Sequence, residues 1–538
     1  MKLIFSGADH EVTGSCHCMT VNGKNILVDC GMEQGKNVFV NQPIPFAEKD
    51  IDYVFLTHAH IDHSGLLPLL WVKGFRGKIF ATGATVDLCS IMLRDSGHIQ
   101  ETDAEWQNRK GRRAGKADVK PLYTIEDAEE VQKFFTPCDY NEIIEISRGI
   151  KIRFRDIGHM LGSACIEVWL NENGVERKLV FSGDIGNLKQ PIVRDPSFVE
   201  EADYIIIEST YGNRYHKACS FDYAGELAEI IQSTFDRGGN VVIPSFAVGR
   251  TQEILYFLRE VKEKQLIKGH DDFEVYVDSP LAIDATEIFT KNTLKYYDKE
   301  TMALVQQGIN PLSFSGLRLS LTSDQSRAIN FEMRPKVIIS SSGMCEGGRI
   351  RHHLKHNLWR ADSCILFVGY QAVGTLGRLI VDGLEEVNLF GETVKVNAEI
   401  KVLEGVSGHA DKAGLQSWLN GFQNTPKHVF VVHGEDLSCT EFASFVREQF
   451  GFAASAPFSG SVFDLKEGCY IEEALPELVK REKKGGEGAG EPFTHLQRLG
   501  RRLLELISAY KGRANRDIRA FSRDLGELCD KYEKDLRS

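Results

Sequence analysis

The sequence predicts an α/β protein of more than one domain. Short apolar runs alternate with helix-patterned stretches through its first half. Asp29, His58, Asp184, Glu208 and His433 each stand at or just beyond the end of such a run, where the open edge of an α/β sheet gathers functional side chains. The length, 538 residues, exceeds what one core organises.

Leu3-Ile4-Phe5, Asn25-Ile26-Leu27-Val28-Asp29 and Tyr53-Val54-Phe55-Leu56 read as the first strands. Ile150-Lys151-Ile152-Arg153-Phe154, Cys165-Ile166-Glu167-Val168, Leu179-Val180-Phe181 and Tyr204-Ile205-Ile206-Ile207 read as later ones. Further on, Asn240-Val241-Val242-Ile243 leads into Pro244-Ser245-Phe246-Ala247-Val248-Gly249-Arg250 and an apolar-periodic helix. Val337-Ile338-Ile339 leads into a Gly-rich turn, and Val429-Phe430-Val431-Val432 ends on His433.

The composition, 42% apolar and 26% charged, is that of a globular chain, and no apolar run approaches the length of a membrane span. The first residues lack a signal-peptide pattern, and the 12 cysteines are scattered with no Cys-x-x-Cys pair, so a reducing cytoplasm is expected. A formal net charge of -12 argues against indiscriminate coating of nucleic acid but leaves room for a local basic channel.

The densest chemical signal is His58-Ala59-His60-Ile61-Asp62-His63, directly after a strand. Alternation along the extended chain places His58 and His60 on one side, while Asp62 and His63 fall at the turn and point elsewhere. One segment can thus serve two metal positions, and imidazole with carboxylate but no thiolate suits zinc kept reactive. His58, His60 and His159 are expected to hold one zinc, and Asp62, His63 and His433 a second, with Asp184 bridging the two ions through its two oxygens. A water between two such cations ionises near neutral pH and suits attack on phosphorus.

As a set, these motifs resemble the metallo-β-lactamase fold. Asp29, in Val28-Asp29-Cys30-Gly31, resembles that fold's early structural Asp, which orients the ligand loop by hydrogen bonding. Glu208 in Ile207-Glu208-Ser209-Thr210, His409 in Ser407-Gly408-His409-Ala410-Asp411 and His433 in Val432-His433-Gly434-Glu435 resemble the three further motifs of the β-CASP branch of nucleases. A His at 433 is similar to the RNA-directed members, such as the endonuclease subunit of the mRNA 3′-end cleavage complex and its prokaryotic relatives. The resemblance covers about Met1 to Tyr470.

It implies an αββα metallo-β-lactamase sandwich with an inserted α/β β-CASP domain and a short helical C-terminal extension. The boundaries read as 1–210 for the first part of the metal-binding domain, 211–385 for the insertion, 386–470 for the return segment and 471–538 for linker and extension. It further implies two zinc ions per chain and hydrolysis of single-stranded RNA in processing or decay, giving 5′-phosphate ends. His409 would be the general acid, with Glu208 orienting its imidazole, and Asp62 and Asp184 would share the catalytic centre. The turn Ser340-Ser341-Ser342-Gly343-Met344-Cys345-Glu346-Gly347-Gly348-Arg349 is similar to the branch's phosphate-contacting loop. Ser342, Gly343, Gly347, Gly348, Arg349, His352, His353 and the earlier Arg250 are the expected RNA contacts.

The run Gln107-Asn108-Arg109-Lys110-Gly111-Arg112-Arg113-Ala114-Gly115-Lys116 reads as a basic loop that either holds RNA phosphates or is solvated. Residues 481–490 read as a flexible linker. Leu496, Leu499, Leu503, Ile507 and Tyr510, then Ile518, Phe521, Leu525, Leu528 and Tyr532, mark two amphipathic helices expected to pack on the body or on a second copy in a homodimer. Endonucleolytic cleavage is favoured over 5′-exonucleolytic. The alternative from the same fold is a hydrolase of small thioesters or lactones, which would not need Glu208, His409 or the insertion.

Overall fold

The computed structural model describes residues 1–479 except Lys36, Ala114, Lys116, residues 217–221, Val373 and residues 404–406. Beyond 479 it describes Leu503, Ile507, Arg519, residues 521–523, Leu525 and Gly526, all helical. Linker residues 481–490 and the tail positions Leu496, Leu499, Tyr510, Ile518, Leu528 and Tyr532 lie outside the described residues. Residues 1–478 cluster as one unit and the remainder as another.

Two sheets of the first unit stack face to face. One orders its strands Cys469–Glu472, Val462–Asp464, Lys2–Gly7, Cys16–Val21, Lys24–Val28, Tyr53–Phe55, Lys78–Thr82 and Phe135–Cys138. The other orders Ala454–Ser455, His428–Val432, Tyr204–Glu208, Val175–Phe181, Ala164–Glu172, Ile150–Asp156 and Ile144–Ser147. Leu3, Phe5, Val28 and Phe55 of the first meet Phe154, Ile166, Phe181 and Phe430 of the second in a shared core. Successive strand residues face opposite ways, so Leu27 and Val54 face outward, onto Leu67, Leu70 and Leu88 of the helical layer. On the other side Ile205 and Ile207 pack on Leu415, Trp418 and Phe442. Both faces of each central strand are covered, which is why these strands read as continuous apolar runs. The layers are therefore helix, sheet, sheet, helix, as expected.

The inserted region builds a six-stranded parallel sheet in the order Leu317–Leu319, Glu274–Val277, Lys336–Ser340, Val241–Pro244, Cys364–Phe367 and Glu399–Val402. The last of these strands lies beyond residue 386, where the sequence places the return to the first domain. Val241, Ile243 and Ile339 face Leu227, Ile254 and Leu258 on one side. Val242, Ile338 and Phe367 face Ile350, Leu354 and Leu389 on the other. Helix Gly83–Arg113 contributes Leu88 and Leu93 to the cluster that also contains Ala282 and Ile283 of the insertion, so the two parts share apolar packing.

The basic run at 107–116 departs from expectation. Residues 107–113 are the last turns of the 31-residue helix Gly83–Arg113, not a loop, and residues 114 and 116 lie outside the described residues. Arg and Lys are good helix formers, and cations at a helix C-terminus oppose its dipole. Among the described residues no helix is long and apolar enough to cross a membrane.

Candidate metal centre

The metal loop begins where Tyr53–Phe55 ends. Thr57, His58 and His60 follow in non-helical backbone, and Ile61–Ser64 then forms a single helical turn that redirects Asp62 and His63. Asp29, 2% exposed, holds this segment: it accepts from the Thr57 amide at 2.8 Å, the Thr57 hydroxyl at 2.9 Å and His63 Nδ1 at 2.7 Å. Asp184 and Glu208 stand at neighbouring strand ends of the second sheet, and His433 ends the strand beside Glu208.

The structure brings all seven expected ligands together in two groups. His58 Nε2 lies 3.1 Å from His60 Nδ1, which lies 3.2 Å from His159 Nε2. Asp184 Oδ2 completes this group at 3.4 Å from His58 and 3.6 Å from His159. In the second group His63 Nε2 faces His433 Nε2 at 3.1 Å, with Asp62 Oδ2 3.7 Å from His433. Asp184 Oδ1 approaches His63 at 3.3 Å and His433 at 3.7 Å.

The opposite edges of four rings explain this orientation. His58 Nδ1 donates to Thr57 Oγ1 at 3.1 Å, and His63 Nδ1 to Asp29. His159 Nδ1 donates to the Gly408 carbonyl at 3.0 Å, and His433 Nδ1 to Thr210 Oγ1 at 3.2 Å. With the proton on Nδ1, each Nε2 turns a lone pair inward. Asp184 Oδ1 is buried with no hydrogen-bond donor. Lone pairs converging at about 3 Å around an unsatisfied carboxylate repel one another unless a cation sits among them. The donor set fits metal: three nitrogens and an oxygen in one group, two nitrogens and an oxygen in the other, with Asp184 Oδ1 approaching that second group from beside it.

Electrostatics agree. Burial, reinforced by neighbouring imidazoles, holds His58 and His159 well below the ordinary imidazole range, so they present lone pairs. Burial also lowers His63 and His433, but carboxylates, chiefly Asp184, outweigh it and draw both upward; a cation would take over that role. Asp184 lies well below the usual carboxylate range, the surrounding histidines overcoming its burial.

His409 stands beside this centre without joining either group. An isolated bridge between Gly186 and His409 and the Ala410 amide bond to Ile185 O at 2.7 Å place its loop. Its Nδ1 is 3.3 Å from both oxygens of Glu208, and its Nε2 points towards Asp184 Oδ2 at 3.9 Å. Burial opposes protonation, but Glu208 and Asp184 push the imidazole up to about 9 before any cation adds its charge. Glu208 is itself fixed by the Ile185 amide at 2.6 Å.

The expected RNA contacts divide. The turn 341–349 follows Lys336–Ser340 and closes on itself through Ser342 and Gly347. Gly348 has φ +78°, and a Cβ there would meet Ser341 O at 2.3 Å. Gly343 packs on Phe246, so two loops meet at this point. Arg250 is 9% exposed and paired with Glu253. His353, expected to contact RNA, is instead fully buried: Nε2 binds Asp278 at 2.6 Å and Nδ1 Asn330 at 3.0 Å. Arg349 is likewise engaged by Asp278 at 2.8 Å and by two carbonyls. The buried Asp278 carboxylate requires these partners. His352 is exposed and stacks on Phe390 at 4.3 Å.

Sequence reasoning gave no role to Thr57, which precedes His58, or to Thr210, the last residue of the quoted Glu208 motif. It also missed His216, whose Nε2 donates to the His409 carbonyl at 3.2 Å and whose amide binds Asp411 at 2.7 Å. Its place eight positions after Glu208 was the available signal.

Comparison with known proteins accords with this geometry. Residues 12–74 match the metallo-beta-lactamase superfamily, residues 251–380 the Beta-Casp domain and residues 393–457 the Zn-dependent metallo-hydrolase RNA specificity domain. The chain is 37% identical over 439 residues to Ribonuclease TTHA0252 of Thermus thermophilus, covering 81% of this chain and 94% of that protein. It is 32% identical to Transcription termination factor FttA of Methanosarcina mazei (82% of this chain, 68% of that one). It is also 32% identical to that of Methanocaldococcus jannaschii (84% and 69%). With its paired ligand groups, its inserted parallel sheet and relatives matched over most of their length, the chain belongs to the β-CASP branch of the metallo-β-lactamase superfamily.

Proposed function

We propose that this protein is a metal-dependent ribonuclease that hydrolyses RNA phosphodiester bonds internally, leaving 5′-phosphate and 3′-hydroxyl ends. The observation that carries the reading is Asp184, whose two oxygens each face a separate histidine group while His409 stands at the rim with Glu208 behind it. Two zinc ions are the proposed occupants, one with His58, His60, His159 and Asp184, the other with Asp62, His63, His433 and Asp184. Bound there, the cations would ionise a water near neutral pH and neutralise charge on the phosphate oxygens.

The chain's own residues supply the rest. Glu208 accepts from His409 Nδ1 and its charge favours the imidazolium, so Nε2 carries a proton as well, directed into the cleft. From there it protonates the leaving 3′-oxygen as the P–O bond breaks. The Ser342–Gly347 turn and Arg250 are proposed to steady flanking phosphates, while Arg349 holds that turn from behind. The single-stranded form of RNA is proposed as substrate, since unpaired phosphates and bases are what loop donors reach. A cytoplasmic setting is supported by the ten described cysteines, none of them in a disulfide and nine buried. The homodimer rests on the tail's apolar spacing, and light scattering tests it.

The deciding experiment measures metal content and cleavage of a 5′-labelled RNA. Two zincs per chain and internal fragments uphold the reading. Mononucleotides released from the 5′ end would replace the endonuclease with an exonuclease. A metal-loaded protein that leaves RNA intact yet hydrolyses small thioesters would overturn it.

A further inference from the structure

Helix Gly83–Arg113 packs against the helical turn Ile61–Ser64 of the metal loop and continues for thirteen residues beyond Gln100. Gln100 Nε2 lies 3.6 Å from Met32 Sδ, and the Met32 amide binds the carbonyl of Ile61, the residue before Asp62, at 2.9 Å. At the helical rise, Trp106 lies about 9 Å and Arg113 about 20 Å further along the axis from Gln100. Trp106 is 52% exposed, with Lys110 Nζ 3.8 Å from its ring centre. Arg109, Lys110 and Arg113 fall three, four and seven positions after Trp106, so they share its face.

The charge here is local. Residues 106–113 hold Arg109, Lys110, Arg112 and Arg113 and no acid; Asp103 stands one turn before Trp106 and Glu105 one turn before Arg109 on the same side of the helix. Arg112 pairs with Asp118 at 3.1 Å. Among the described residues Arg109, Lys110 and Arg113 have no carboxylate within 4.0 Å. The turn is also braced: Asn108 and Val119 exchange two hydrogen bonds, at 2.9 and 2.6 Å. An exposed indole with one cation over its ring and two more at helical spacing on the same face, on a chain of net charge -12, offers what a single-stranded nucleic acid requires: a face for a base and charge for its phosphates.

We propose that Trp106 with Arg109, Lys110 and Arg113 forms an accessory site for single-stranded RNA, reached by substrate that extends a few nucleotides beyond the metal cleft. The proposal rests on the RNA reading above. One base stacks on the indole, displacing or sandwiching the Lys110 ammonium, and the neighbouring phosphates lie on the two arginines.

Steady-state kinetics on the full chain test it, with a long single-stranded RNA and an oligonucleotide just long enough to fill the cleft. Trp106→Ala should raise KM on the long RNA about tenfold, as loss of one stacking platform does, with kcat unchanged and KM on the short one unchanged. Trp106→Phe should restore most of the loss. The triple change Arg109→Gln, Lys110→Gln, Arg113→Gln should raise the same KM and flatten its logarithmic salt slope by about 1.4, the share of the two arginine–phosphate contacts on a single strand. Wild-type KM in both variants on the long RNA overturns the accessory site, and so does an equal rise on long and short substrates, which would place the effect in the fold. If wild type cleaves neither RNA, it is the proposed function that fails, and the site fails with it.

Discussion

Two buried clusters of histidine and aspartate lie in this molecule, and they are built to opposite ends. In the metal cleft, rings fixed by Thr57, Asp29, Gly408 and Thr210 aim lone pairs at one another across about 3 Å, and Asp184 Oδ1 has no donor. In the inserted domain Asp278 accepts from His353, Arg349 and Ser326, and the second His353 nitrogen meets Asn330. The first cluster is incomplete without added positive charge; the second brings its own in Arg349. Residue types alone do not distinguish a metal site from a structural node. What distinguishes them is whether every inward-facing acceptor has a donor.

The largest way to break this contrast is Asp184→Ala, which removes the carboxylate shared by both groups. Metal content by elemental analysis should fall at both positions, and RNA cleavage should drop by more than the loss of the acid alone. His409→Ala should keep both metals and lower kcat by about 10²–10⁴-fold, the usual contribution of a positioned general acid; loss of metal together with activity would show His409 to be a ligand.

Asp278→Ala should do the reverse. Removing this fully buried carboxylate strips Arg349, His353 and Ser326 of their shared partner and costs up to about 3–5 kcal/mol, read as a lower denaturant midpoint with metal content unchanged in the folded protein. The same node predicts a pH dependence. Burial raises the Asp278 carboxyl, but His353 and Ser326 outweigh that and bring it down to about 2 from its usual 3.8. A depressed carboxyl contributes stability that is complete above its unfolded value and lost as pH falls towards its folded one. The stability gap between wild type and Asp278→Asn should therefore hold steady above about pH 5 and narrow between about pH 4 and 2. A gap that widens on acidification would contradict the node.

Smaller changes sharpen the picture. Thr210→Val removes the acceptor behind His433 Nδ1 and should weaken metal binding by about 10–100-fold in a chelator competition. His216→Ala should lower kcat about fivefold, the worth of one hydrogen bond, without moving metal content or KM. His216→Gln, which keeps an N–H donor, should recover most of that rate.

Much of the architecture was legible because it is local. Strand periodicity placed Asp29, His58, Asp184, Glu208 and His433 at run ends, and the spacing within 58–63 told two directions apart, although Asp62 and His63 diverge through a helical turn and not an open one. The Gly-rich turn was legible as a turn, but its flanking cations were not: nothing near Arg349 or His353 in the chain announces Asp278, some seventy positions earlier, as their partner. The basic run at 107–113 was misread as loop because its polar residues carry no apolar period, although the helix continues through them.

By itself, then, the sequence determined which side chains stand at the sheet edge, since residue type and strand alternation depend only on near neighbours. Tertiary structure decided which ring nitrogen faces the cleft and which cations are already neutralised. It also decided that Trp106 is carried past the metal loop. Each of these depends on contacts between residues far apart in the chain, and periodicity holds no record of them.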